Sequence, residues 1–551
     1  MPDIPDTISP LSLACAIFDV NSHTSVTALA ATLEPITAQL AQSKAQRERL
    51  GENDALWTDL RKLWRDLSRA QMTFWDNDDS EDEADGAAEH QKQQGLSTLA
   101  ASLARYTRNL VADVPRNQIK AFENEPSIRR LVHYYTSWTF LQNKEALLVA
   151  RVLSQALANL VSGNANLGAK LWNTYMHLPE DQVVLIRLLS SPDPPTILAA
   201  LIIILSCIDG SRTRIKILTR TVVGVRLCVC LLDNMVKLYD ADESAAEAKA
   251  FDVGYEIFSR IMAADLVPSL FSRLAMTDEI ITPHQTTLLK LVDSYLQSTQ
   301  LSPVPTTPQG TPLYTKLRPM LAKTFFSLSA YAQKSIQNSL GLPTASSDTA
   351  GAAFEPLSSL DVMLPKVGEA LVLVTQCIVT TALESSDQCM QLKGLEQSSQ
   401  DFFNDARSAD QGILESLVEL LRLLDMFLPR INFGKPVPSV VPPQGGGGGG
   451  DDSASTGFNY LKRDLVRLLG ILCYGKKAVQ DRIRLCGGIQ VVMNLCVVDE
   501  RNPFLREHAI FALHNLLQGN PENQAVVDAL QPSGKWDDNG ILRDTSGAVR
   551  K

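Results

Sequence analysis

The chain has no surplus of basic residues: 51 Lys and Arg stand against 61 Asp and Glu in 551 residues, a formal net charge of −10. Neutralising a phosphate backbone takes a clustered excess of cations, so composition argues against a general nucleic-acid binder and leaves room only for a local basic groove. The acidity is itself local. Residues 76, 78, 79, 81, 82, 83, 85 and 89 are all acidic within a stretch that holds no Lys or Arg, and subtracting those eight from −10 leaves −2 elsewhere. Cysteine is sparse and unpatterned. The nine (15, 207, 228, 230, 377, 389, 473, 486, 496) are odd in number and sit mostly in apolar runs, as reduced core residues of a cytosolic protein do.

No apolar run is expected to span a membrane. The strongest candidate, residues 196–208, has 13 residues between Pro194-Pro195 and Asp209-Gly210, too short to cross about 30 Å of hydrocarbon. It reads as a buried helix, and no membrane insertion is expected. The opening MPDIPDTISP lacks the basic start and apolar stretch of a secretory signal and the Arg-rich pattern of an import signal, so a cytoplasmic location is expected.

Catalytic signatures are missing too. There is no GxxxxGK[ST] loop and no GxSxG elbow, and the six glycines at 445–450 lack the Lys and helix start that would hold a phosphate. Seven histidines (23, 90, 133, 177, 284, 508, 514) are scattered, with no HExxH or Cys/His zinc spacing. Cys228-Val229-Cys230 has soft-metal donors but lies in an apolar run and reads as core. The acidic run lacks the ligand order of a calcium loop and reads as a solvated loop, with docking of a basic partner as its second reading. No enzyme, cofactor or metal is expected.

What is present is helical periodicity. With 45% hydrophobic and 20% charged residues, wholesale disorder is excluded. Leu461, Leu465, Leu468, Leu469 and Leu472 fall on one helix face. Leu505, Ala509, Ala512, Leu513 and Leu516 repeat the stripe behind Asn502-Pro503, read as an N-cap and first-turn proline. Alternating Thr/Val/Tyr runs joined by tight turns have little support. The fold class is all-α.

Composition breaks that pattern at 76–95 (acidic), 302–312 (four prolines), more weakly at 341–356, and most clearly at 435–457, KPVPSVVPPQGGGGGGDDSASTG. The expected division is an N-terminal helical array over 1–434, a linker over 435–457, a compact unit over 458–530 and a loop-like tail over 531–551.

The chain also repeats itself. Residues 108–118 (RNLVADVPRNQ) and 514–524 (HNLLQGNPENQ) share Asn-Leu-aliphatic followed by Pro-x-Asn-Gln. Residues 156–164 give a third copy and 469–475 a degenerate fourth, at intervals near the 40 to 47 residues of armadillo and HEAT repeats. Gly487-Gly488 and the short helix after them complete a three-helix rhythm, so the expected architecture is an armadillo/HEAT-like helical-repeat solenoid. The recurring Asn109, Asn159 and Asn515 have two readings, closing the turn after the helix or touching a partner. The residues one turn earlier are Arg105, Gln155 and Phe511, so the Trp-Asn ladder of peptide-clamping armadillo proteins is absent.

Over 458–530 the chain resembles the C-terminal domain of the ataxin-10 family. The markers are Lys462-Arg463-Asp464-Leu465, Leu472-Cys473-Tyr474, Val479-Gln480-Asp481, Gly487-Gly488-Ile489, Asp499, Asn502-Pro503-Phe504 and Arg506-Glu507. The resemblance implies an armadillo-like, non-catalytic cytoplasmic protein associated with cytokinesis and, in animals, neuronal survival. It also implies signalling partners, among them a G-protein β subunit and an O-GlcNAc transferase. The leading expectation is an interaction scaffold for cell-division or signalling proteins, with self-association among the expected contacts. Its expected surface is Lys462, Arg463, Arg467, Arg506 and Glu507, beside the three Asn positions. A cargo adaptor reading basic peptides is the alternative, and a copper-type site at Cys228 and Cys230 the third reading. The linker composition predicts rapid protease cutting between Lys435 and Lys462, and resistance there in limited proteolysis would mean that the flanking helical segments dock.

Overall fold

The computed structural model describes residues 8–72, 83–300, 315–342, 361–388, 398–436 and 458–529, apart from 141, 243, 244, 429, 433 and 434, together with 534–536 and 542–544. The sequence breaks at 302–312 and most of those at 341–356 and 435–457 lie outside the described residues. Two compact units divide the chain, Met1–Leu274 and Ala275–Lys551.

The first unit holds α1 (Ile8–Ala16), α2 (His23–Gln42), α3 (Lys44–Gly51), α4 (Asp54–Met72), α5 (Glu83–Val111), α6 (Pro115–Ala121), α7 (Glu125–Tyr135), α8 (Lys144–Val161), α9 (Ala165–Met176), α10 (Val184–Leu189), α11 (Pro194–Ile208), α12 (Arg212–Arg220), α13 (Val222–Leu238), α14 (Ala246–Ala263) and α15 (Val267–Arg273). The order short, intermediate, long recurs. Long helices α2, α5, α8, α11 and α14 pack side by side, α4, α7, α10 and α13 form a second row, and contacts of α3 with α6 and of α9 and α15 with α12 form a third. Each helix buries one stripe against its row neighbours, which is why a strip such as Leu153, Ala156, Leu157 and Leu160 is essentially solvent-free. The apolar stretch expected to be buried is α11, capped by Asp193.

The second unit holds α16 (Pro283–Gln300), α17 (Leu317–Ser339), α18 (Leu364–Gln388), α19 (Ser399–Asp405), α20 (Ile413–Phe427), α21 (Leu461–Cys473), α22 (Lys477–Leu485), α23 (Gly488–Asn494), α24 (Leu505–Leu517) and α25 (Pro521–Asp528). Here α16, α18, α21 and α24 form the long row, and α17, α20 and α23 the row behind it. The all-α helical-repeat fold is therefore as expected.

Six long helices are followed by a left-handed residue: Asp113, Gly163, Gly210 and Asp265 after α5, α8, α11 and α14, and Gly475 and Gly519 after α21 and α24, all with φ between 56° and 70°, whereas α2 gives way to Ser43 at φ −132°. The four sequence copies fall on four of these junctions. The other two escaped because they lack both amides, with Ser206 and Ile261 at the asparagine position and Ile215 and Leu270 where Gln480 stands in the degenerate copy.

Four expectations change. The 76–95 stretch is not a loop throughout, since α5 starts at Glu83, where Ala, Glu, Gln and Lys supply helix propensity. The tail holds an antiparallel pair, Gly534–Trp536 with Leu542–Asp544, and Asn539-Gly540 between them is a hairpin signal that the reading passed over. Asn502 does not cap α24. Phe504, at φ 65°, precedes the helix, while Asn502 Nδ2 donates to Asp499 Oδ2 at 2.9 Å. The chain divides at Leu274 rather than at 435–457: α21 packs on α18 and α20, and Arg482 of α22 forks onto Glu415 of α20 at 3.0 and 2.9 Å. The stretch Leu364–Leu383 of α18 is long and apolar enough to cross a membrane, and 67% of that window is buried by its neighbours.

Two glycines separate backbone strain from packing. A Cβ at Gly519 would meet nothing within 4 Å, whereas one at Gly470 would sit 3.1 Å from Ala512 across the α21–α24 contact. Gly519→Ala should cost about 1 kcal/mol through left-handed strain alone, and Gly470→Leu about 3 kcal/mol by prising the helices apart. Equal costs in chemical denaturation would count against the close approach.

Candidate functional site

The last carbonyls of an α-helix have no partner within the helix. In each unit they are met by amides from neighbouring repeats. Asn159 Nδ2 in α8 donates back to Arg108 O in α5 at 3.0 Å, and Asn515 Nδ2 in α24 donates back to Gly470 O in α21 at 3.0 Å. Asn109 Nδ2 also donates back one long helix, to Thr37 O at 3.0 Å, five residues before the end of α2. Glutamines reach forward. Gln118 Nε2 in α6 donates to Asn159 O and Ser162 O, both at 2.8 Å, and Gln480 Nε2 in α22 donates to Asn515 O at 2.9 Å. Each glutamine oxygen then accepts from the next N-cap asparagine, Asn164 or Asn520, at 3.1 Å. Gln400 of α19 meets the end of α21 in the same way, at Ile471 O, Leu472 O and Tyr474 O. The amide nitrogens of the three Asn in the sequence motif thus bond neighbouring long helices rather than their own turn, and Asn515 is 1% exposed.

Lys462 is likewise no surface cation. Its side chain is fully buried, with Nζ donating to Leu428 O at 3.0 Å and pairing with Asp425 at 3.3 Å. Burial pulls its pKa below the ordinary 10.5, opposed by the Asp425 and Asp499 carboxylates. Asp499 accepts from the backbone N–H of Ile431 and Arg501, at 3.2 Å each. Asp464 is also buried, accepting from Gln376 of α18 at 3.0 Å and from Arg463 at 2.7 Å. Three charged markers of the C-terminal motif, Lys462, Asp464 and Asp499, are therefore interior, and the first two hold α18, α20 and α21 together.

Of the expected surface, Arg463, Arg467, Arg506 and Glu507 remain accessible in part or in full. Beside them stand three residues the sequence reading did not select. Tyr460, at the start of α21, and Phe504, at the start of α24, have φ of 68° and 65° and exposures of 43% and 68%, and Phe511 is 51% exposed. The Arg463 guanidinium sits 4.5 Å over the Tyr460 ring. His508 is held below its ordinary pKa by burial and then by Arg467 and Arg463. The signal that could have found the aromatics was their spacing: Phe504 and Phe511 flank His508 on the stripe that also carries Asn515.

Cys228 is fully buried, its Sγ donates to Leu218 O at 3.7 Å, and burial pushes its thiol pKa up. A neutral thiol is a poor metal ligand.

The chain is a helical-repeat protein whose long helices are tied by side-chain amides. Residues 461–550 match the family model described as the spinocerebellar ataxia type 10 protein domain, a match that reaches past the expected boundary at 530. The chain is 41% identical over 73 residues to the ataxin-10 homolog of Dictyostelium discoideum, covering 13% of this chain and 12% of that protein. It is 29% identical over 140 residues to ataxin-10 of Homo sapiens, covering 25% and 28%. These matches thus span little more than a quarter of the curated relatives at most. The solved structure of Uso1-1 overlays 98% of this chain and 96% of its own with a TM-score of 0.29 at 11% identity.

Gln480→Ala should take the amide donor from Asn515 O and one of two acceptors from Asn520 Nδ2, which keeps Asp481 Oδ1 at 3.0 Å, and cost about 1–3 kcal/mol, read as a lower melting temperature. The depressed Lys462 pKa carries a sign: between the folded-state value and 10.5 the unfolded chain binds the extra proton, so stability gains with rising pH through that window. Lys462→Met should abolish this gain, and a variant with the wild-type alkaline profile would assign it to another group.

Proposed function

We propose that the chain is a non-catalytic scaffold that holds other proteins on its helical repeats and acts in cytokinesis and cell-division control. The ataxin-10 domain at 461–550 carries this reading, and the stacked-repeat architecture supports it, since such arrays expose broad ordered surfaces. A cytoplasmic location, protein rather than nucleic-acid or membrane partners, and association of the chain with itself belong to the same proposal.

The cargo-adaptor reading is weaker, because it needs asparagine amides free to grip a peptide backbone, and those of Asn109, Asn159 and Asn515 are spent on neighbouring helices. Soft-metal handling is weaker still, given the buried thiol of Cys228.

A chain cut at Pro436 would strip α21 from α18 and α20, so point variants make the better comparison. Affinity capture and proximity labelling in dividing cells, with the full chain and with Arg463→Glu/Arg506→Glu, should recover septum, actomyosin-ring or mitotic-kinase proteins that the variant loses. Recovery of only importin-type cargo or copper-handling proteins would end the cell-division reading.

A further inference from the structure

Within their units, α8 packs between the long helices α5 and α11, and α21 between α18 and α24. On α24 one such side is filled: Ala512 meets Gly470 of α21, and Asn515 bonds Gly470 O. The side turned away from α21 carries Ile510, Leu513 and Leu517, at i, i+3 and i+7, so these residues share one face. With Asn515 aligned on Asn159, their counterparts in α8 are Ser154, Leu157 and Val161, none more than 1% exposed. With Asn515 aligned on Ile471, their counterparts in α21 are Val466, Leu469 and Cys473, all at 0%. In α24 the same positions are open: Ile510 is 51% exposed and the two leucines are half-buried.

A repeat that closes a stack turns a polar outer face to water, whereas α24 presents these aliphatic side chains. The short helix α25 adds an independent feature. Gln118 and Gln480 are each 2% exposed and reach forward to the last carbonyls of the next long helix. Gln524 is their counterpart by sequence, yet it is exposed and its Nε2 turns back to Leu517 O at 2.9 Å. An apolar face and a forward rung thus stand side by side, and the object that satisfies both is the C-terminal end of a helix.

We propose that the outer side of α24, together with Gln524, docks an amphipathic helix of a partner protein, which extends the stack by one long helix. The inference rests on the scaffold reading and gives it a place and a chemistry. The occupant lays an aliphatic stripe over Ile510, Leu513 and Leu517 and turns its last carbonyls to Gln524. An asparagine in its last turn reaches His514 O, as Asn159 reaches Arg108 O and Asn515 reaches Gly470 O. A second copy of α24 fits poorly, because its own last carbonyls are taken: Gln480 holds Asn515 O and Asn523 holds Leu516 O. The residues described beyond α25 are two paired strands, Gly534–Trp536 and Leu542–Asp544, which have no helix end to offer.

The test pans the full chain and its Ile510→Glu, Gln524→Ala and Phe511→Ala variants against displayed helical peptides of about twenty residues with randomised faces. Enriched peptides should carry aliphatic residues at i, i+3 or i+4, and i+7, with an asparagine in the last turn. Their affinity should fall at least tenfold in Ile510→Glu and about fivefold in Gln524→Ala. Both variants should keep the native melting temperature, since both side chains face solvent. Phe511→Ala, on another side of α24, should bind as the native chain does. Enrichment without that spacing, unchanged affinity in Ile510→Glu or Gln524→Ala, or loss in Phe511→Ala overturns the proposal. So does self-association that Ile510→Glu abolishes, which gives the face to a second copy. Slow maleimide labelling of Ile510→Cys in the full chain overturns it as well, by giving the face to the chain itself. Should nothing be enriched while the full chain still captures cell-division proteins, the proposal falls and the scaffold reading stands on another face.

Discussion

The unmet carbonyls at the ends of the long helices are the constraint on which the rest depends. A stack of helices buries apolar stripes easily, but each helix also ends in oxygens that need donors, and in a stacked array water reaches them poorly. Asparagine from the following long helix and glutamine from the preceding short helix supply those donors. The left-handed residue four places after the asparagine position then swings the chain into the next short helix, which puts the next glutamine or N-cap asparagine in reach. Register, turn and capping are one device.

That device explains which parts of the fold were legible. The Asn-Leu-aliphatic and Pro-x-Asn-Gln copies were visible because a side-chain amide at a fixed distance from a turn is a local pattern. Their partners were not visible, since Asn159 and Gln480 find carbonyls 51 and 35 residues away. The junctions at Gly210 and Asp265 were missed because a repeat keeps its left-handed turn even where both amides are gone, with Ser206 and Ile261 at the asparagine position and Ile215 and Leu270 at the glutamine position.

The same limit applies to the candidate site. Lys462 looks like a solvent-facing charge in a helix rich in Arg and Lys, and only the tertiary fold places Leu428 O and Asp425 around it. Phe504 looks like an ordinary first-turn hydrophobe behind a proline, and only the backbone angle reveals that it stands out in a conformation its side chain disfavours. Arg463, Arg467, Arg506 and Glu507 were placed on the accessible side for a simpler reason: helical spacing sets them off the leucine stripe.

The asparagine and glutamine rungs between long helices carry no formal charge. That part of the stack's cohesion is thereby separated from its electrostatic character, so substitutions that reverse the sign of an outer face leave these rungs intact. A lineage built on such a ladder can exchange one set of associates for another, or drift far in sequence, without first having to solve again how its helices stay in line.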